Sequence, residues 1–161
     1  MNIFISGSIS VKFLPKIAMT KIDNIIKKNM NILIGDAKGV DLLVQKYLAK
    51  KQYNNVTVYF SGEKYRNNIG NWSTKNIKTN TFRKSRELYT LKDEAMSKDS
   101  DYGLMIWDGE SKGTLNNIQN MKILNKKFFV ILGNIIIQDK NIDSLISLKN
   151  KTIQQLELDF F

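Results

Sequence analysis

The chain has 161 residues, no cysteine, no histidine and one proline, and its 25 Lys+Arg against 15 Asp+Glu leave a formal charge of +10. Those absences exclude disulfide frameworks, thiol nucleophiles, zinc–thiolate and His-ligated metal sites, Ser-His-Asp triads and imidazole acid–base chemistry. The length suits one domain with its own core, and a hydrophobic content of 42% excludes a disordered chain.

Asn2-Ile3-Phe4-Ile5 reads as a buried strand running into the tight loop Ser6-Gly7-Ser8. Ile17, Ile22, Ile25 and Ile26 then recur at helical spacing from Pro15 to about Asn29, with lysines opposite and the proline in the first turn. A second strand, Ile32-Leu33-Ile34, ends at Gly35-Asp36-Ala37-Lys38-Gly39. Val40, Leu43, Val44, Tyr47 and Leu48 mark the second helix. Val56 to Phe60 is the third strand. Residues 63–82 form a long polar loop without periodicity, the kind of connection that usually carries function or motion. Leu88, Leu91, Ala95 and Met96 predict a helix from Arg83 to Lys98. Gly103 to Trp107 is the fourth strand, closed by Asp108-Gly109, and a helix follows from Gly113 to Lys126. Phe128 to Leu132 is the fifth strand, and residues 134–161 form a C-terminal extension of open structure.

Continuous apolar strands alternating with amphipathic helices predict parallel βαβ units with helices on both faces of the sheet. In such sheets ligands bind outside the carboxyl ends of the strands, where the strand order reverses. The loops there combine glycine with small polar residues. Ser6, Gly7 and Ser8 follow the first strand; Gly35, Asp36, Gly39 and Asp41 follow the second; Asp108, Gly109, Ser111, Lys112, Gly113 and Thr114 follow the fourth. Ser111 to Thr114, at a helix start, offers hydroxyls, backbone N–H groups and an ammonium to a phosphate. Asp36, Asp41 and Asp108 suit ribose hydroxyls or a base edge, because a carboxylate only accepts hydrogen bonds. Each loop also reads as ordinary turn and cap chemistry. The three together point to a ligand cleft, without a strict dinucleotide fingerprint or P-loop.

Ser6-Gly7-Ser8, Gly35-Asp36-Ala37-Lys38-Gly39-Val40-Asp41 and Trp107-Asp108-Gly109 with Ser111-Lys112-Gly113-Thr114 resemble the SLOG superfamily of Rossmann-like domains over roughly Met1 to Leu132. That superfamily includes the cytokinin-activating LOG phosphoribohydrolases, the DNA-processing protein A domain and small stand-alone bacterial and phage proteins. The resemblance implies a single Rossmann-like three-layer α/β/α domain with a mainly parallel sheet, a nucleotide or nucleotide-derived ligand, no cofactor and a homodimer. It departs at one position. Where the phosphoribohydrolases follow the glycine-threonine turn with a catalytic glutamate, this chain has Asn117. An amide cannot act as a general base, although it can still bind a sugar or a base.

An N-glycosidase working on nucleoside monophosphates is therefore the alternative reading. It needs a carboxylate from elsewhere, with Asp93 and Glu87 of the third helix as candidates beside Tyr89 and Lys92. In the long loop, Arg66 and Trp72 are suited to hold a nucleobase, or Trp72 simply packs the loop onto the domain. Nucleic-acid binding, as in the DNA-processing relatives, is the third reading. It draws on Lys64 to Arg86 and on the net charge, which also fits a Lys-, Asn- and Ile-rich composition written by codon bias. Among metals only an oxygen-ligand ion such as magnesium fits what remains, and no metal site is assigned. No apolar run reaches membrane-spanning length, and the first strand lacks the features of a signal peptide. The expectation is a cytoplasmic protein with no membrane partner.

Overall fold

The computed structural model describes residues 1–78, 85–144, 146 and 147, with side chains for all of these except 85–89. The elements in chain order are β1 (Asn2–Gly7), α1 (Lys16–Lys27), β2 (Asn31–Gly35), α2 (Val40–Lys50), β3 (Val56–Phe60), β4 (Ser73–Asn76), α3 (Ser85–Asp99), β5 (Tyr102–Trp107), α4 (Lys112–Ile123), β6 (Lys127–Leu132) and β7 (Ile135–Gln138). One seven-stranded sheet has the order β4-β3-β2-β1-β5-β6-β7. All neighbours are parallel except β6 and β7, where Ile131 lies opposite Ile136. The protein is thus an α/β domain with a Rossmann-like, mainly parallel sheet, as its alternating pattern predicts.

The pleat sorts the apolar runs onto two faces. Ile3, Ile5, Ile32, Ile34, Val56, Val58, Leu104 and Ile106 pack with Ala18 and Ile22 of α1 and with Val40, Val44 and Leu48 of α2. Phe4, Leu33, Tyr59, Met105, Trp107, Phe128 and Val130 pack with Met96 of α3 and with Ile118 and Met121 of α4. The helices stop in a shared way. Asn29, Gln52 and Asn125 take left-handed φ values of 51°, 55° and 54°. The next residue's amide reaches back to close a Schellman cap: Met30 to Ile25, Tyr53 to Leu48 and Lys126 to Met121. α1 accordingly ends at Lys27 and α4 at Ile123, each slightly short of the periodicity.

One strand corrects the sequence reading, and another falls in the stretch it left open. β4, Ser73-Thr74-Lys75-Asn76, lies inside the stretch expected to be a loop. It is an edge strand held through its parallel pairing with β3, and its side chains carry no apolar signal. The Ile135 to Ile137 run forms the antiparallel edge strand β7.

Candidate functional site

The strand order reverses between β1 and β5, because β1 leads outward to β2 and β3 while β5 leads to β6 on the other side. The loops after these two strands and the start of α4 meet there. Ser8, fully buried, ties them together. Its amide donates to the Ile106 carbonyl (3.0 Å), its hydroxyl oxygen accepts the Asp108 amide (3.0 Å), and that hydroxyl lies 3.2 Å from the Thr114 hydroxyl. Thr114 is buried as well, so both hydroxyls serve the protein's own joints.

Asp108 organises the turn into α4. One carboxylate oxygen accepts the amides of Glu110 (2.9 Å) and Ser111 (2.8 Å), and the other accepts the Ser10 hydroxyl. Burial pushes this carboxyl up, but the hydrogen bonds from Ser10, Ser111, Glu110 and Ser8 outweigh it and hold Asp108 at about 2. Its carboxylate thus organises the turn, a role its expected place as a ribose ligand did not include. Beyond it the amides of Lys112, Gly113 and Thr114 form the open first turn of α4. A Cβ built on Gly113 meets nothing within 4 Å.

The other candidate glycines differ. A Cβ on Gly7 would collide with the Ile106 carbonyl and sit 2.6 Å from Val40 Cγ2. On Gly35 it would strike the Asp41 carboxylate and come 2.5 Å from Lys92 Nζ. Gly39 has a φ of +69°, and its missing Cβ makes room for the loop at Ser8 and Ile9. These three let the protein approach itself, so the expectation that they open the backbone to a ligand is corrected. Gly109 takes a φ of 86° in the turn after β5.

Beside the reversal lies a charged cluster that the motifs did not disclose. Lys92 of α3 is only 3% exposed, yet its ammonium sits 3.7 Å from Asp36, 3.9 Å from Asp41 and 3.4 Å from Asp93. Burial pulls the ammonium down, but Asp93, Asp41 and Asp36 overcome this and raise it above its ordinary value. Lys92 is thus the shared cation of three carboxylates. Asp36, 1% exposed, is gripped by Arg66, whose Nη2 reaches Oδ1 at 2.6 Å while its Nε and amide reach Oδ2 at 3.1 and 3.0 Å. Burial raises Asp36, and these bonds together with Lys92 bring it below the usual carboxylate range. Among the described residues Asp41 accepts a hydrogen bond only from the Ala37 amide, at 3.2 Å. Burial first, then the neighbouring Asp93 and Asp36 charges, lift it to about 6 against the pull of Lys92 and the Ala37 amide.

The pairing of Arg66 with Asp36 corrects the expectation that both face a ligand. It fastens the segment after β3 to the end of β2. Buried Gln45 strengthens the fastening by donating to the carbonyls of Gly35 (2.9 Å) and Asn67 (3.3 Å) and accepting the Ile69 amide (3.0 Å). Of the two readings of Trp72 the structure shows the packing one, against its place among the ligand-binding candidates: it is 7% exposed in the core under α1 and α2, and its indole N–H donates to the Tyr53 carbonyl at 2.8 Å. Nothing of it faces a base.

Asn117 links the cluster to α4. Its amide nitrogen donates to the Ser6 hydroxyl (2.9 Å) and to Asp93 (3.2 Å), while its buried carbonyl oxygen has no partner among the described residues. The carboxylate at 3.2 Å settles which end of the amide points to Asp93. Asp93 is the most open of the three acids around Lys92, with its side chain 21% exposed. The side chains of Glu87 and Tyr89 lie outside those described, as do residues Arg83 and Lys84.

Among the described residues no group of acidic side chains is arranged to hold a metal ion. No helix among them is long and apolar enough to cross a membrane. The class defined by this fold and site is a Rossmann-like α/β domain whose polar loops and the start of α4 meet at its strand reversal. No protein-family model matches the chain, and no curated protein matches it.

Proposed function

We propose that the chain binds a nucleotide or nucleotide-derived ligand at this strand reversal, with a phosphate on the first turn of α4, as the resemblance to the SLOG superfamily implies. The observation that supports this most is the open first turn of α4 at the strand reversal, with free space beside Gly113 and Lys112 as the first residue of the helix. Helix N-termini at such reversals take anions through unpartnered amides and the helix dipole. The ionised Asp108 repels an anion here, and Lys112 counters it.

Thermal unfolding in the presence of nucleoside monophosphates tests the reading. A true ligand at a hundredfold excess over its Kd stabilises by about 2.7 kcal/mol, and Gly113→Val should abolish the gain by filling the space. No stabilisation by any nucleotide would sink the proposal.

The contact of Asp93 with Asn117 favours one second reading, an N-glycosidase on a nucleoside monophosphate. Asp93 is the carboxylate that approaches the position where the phosphoribohydrolases carry glutamate. Release of free base, lost in Asp93→Asn, would support it. The nucleic-acid reading loses Arg66 to Asp36. The resemblance also implies a homodimer, which light scattering tests.

A further inference from the structure

At the opposite, amino-terminal edge of the sheet the helical layers leave a gap. The connections β1–α1–β2–α2–β3 carry α1 and α2 over one face, and α4, between β5 and β6, packs on the other. No described helix therefore covers β5 and β6 on the α1 face. Toward the carboxyl ends, Val11 and Leu14 of the β1–α1 loop pack on that core. Toward the amino ends a cavity of about 370 Å³ remains. Ile3, Ile25, Leu104 and Phe129 are among its apolar lining, and Lys21 and Lys28 of α1 stand in its wall.

The charge there is one-sided. No acidic side chain lines the cavity. Neither lysine makes an ion pair among the described residues. Lys21 extends its ammonium over the Phe129 ring, 4.8 Å from the centroid, so one cation is poised above the apolar surface. An apolar pocket of this size with a few convergent polar groups is the usual form of a small-molecule site. Its two ammonium groups call for an anion and the apolar lining for a hydrocarbon body.

We infer that this cavity binds a small amphiphilic carboxylate, an aliphatic or aromatic acid, with the carboxylate between Lys21 and Lys28 and the apolar part against Leu104 and Phe129. A second copy of the chain fits less well. In a two-fold dimer the same patch meets itself, and lysine would face lysine.

Octanoate serves as the probe, followed through the backbone amide signals of Ile3, Leu104 and Phe129 in nitrogen–proton correlation spectra. Octanoate should shift these signals saturably, octanol should bind roughly tenfold more weakly or worse, and octylammonium should leave them in place. The double variant Lys21→Glu/Lys28→Glu should weaken octanoate roughly tenfold, equivalent to about 1.4 kcal/mol, with an unchanged circular dichroism spectrum. Ile25→Trp, which fills the cavity without altering charge, should abolish the shift. Equal binding of octanol and octanoate, or undiminished octanoate binding in the charge-reversed protein, would overturn the inference. So would the absence of a saturable shift. A dimer that Ile25→Trp splits would give the face to a second copy instead and overturn it too.

Discussion

The Lys92 cluster and the start of α4 stand side by side at the carboxyl edge, joined through Asn117, and they handle polar groups in opposite ways. In the cluster, buried Lys92, Asp36 and Asp41 are satisfied by one another and by two more open partners: Lys92 also meets Asp93, and Asp36 also meets Arg66. At α4 the turn is closed by the exposed Asp108, and a Cβ on Gly113 in the helix beyond it would meet only open space. Two loops of similar composition thus serve different ends. The Gly35–Asp41 loop is structural because a lysine from α3, far along the chain, reaches its carboxylates. The Asp108–Thr114 loop keeps its helix terminus unfilled.

Breaking the cluster should have the largest effect. Lys92→Met leaves the buried Asp36 and Asp41 and the half-buried Asp93 without their common cation, and removing one partner of such a set costs roughly 3–5 kcal/mol. Urea unfolding measures this, and a loss under 1 kcal/mol would show that the charges are not mutually dependent. Gly7→Ala comes next. Its methyl group would run into the Ile106 carbonyl, and overpacking of this kind costs roughly 1–3 kcal/mol.

Asp41 supplies a pH test of the same contrast. Its folded value of about 6 lies above the ordinary carboxylate value, so the folded state binds the proton more tightly than the unfolded chain. Stability should rise as pH falls from about 6 toward 4, by roughly 1–3 kcal/mol, and Asp41→Asn should flatten that rise. A variant with the same slope as the parent would refute the assignment.

Asp108 has the reverse sign. Held at about 2, it contributes stability above the ordinary carboxylate value and loses it as pH falls from about 4 toward 2. Because the group is exposed, solvent screening reduces the gain, and Asp108→Ala should cost about 1 kcal/mol at neutral pH, the usual worth of a helix-start acceptor. Gly113→Ala should have the smallest effect. Its methyl meets no neighbour, and alanine is the better helix former, so a gain of up to about 1 kcal/mol is expected. Measured beside Gly7→Ala, it tells a glycine that packs from one that leaves room.

Much of the fold was legible because it rests on local periodicity. The five central parallel strands are apolar runs, and the first two helices carry apolar stripes that match the faces they bury. β4 escaped because a polar edge strand is defined by its pairing with β3, which no side-chain pattern announces. For the site, the loops around the reversal were found from their composition, but their roles were not. Trp72 has the chemistry to stack on a base, yet its indole is spent on the Tyr53 carbonyl. Gln45 carries no motif, and its importance comes from the three backbone groups it meets.

Residue order along the chain determined the alternation of strands and helices, the faces each would bury and the loops that would gather at one edge, since these follow from spacings of two to four residues. Tertiary structure alone decided which side chains answer which. It placed Lys92 among carboxylates from β2's loop, α2 and α3, turned Arg66 onto Asp36, filled the space beside Gly7 and left that beside Gly113 empty. The physical reason is that a charge or a missing methyl group acquires its energetic meaning from neighbours a few ångströms away, and those neighbours come from positions up to about a hundred residues distant in the chain.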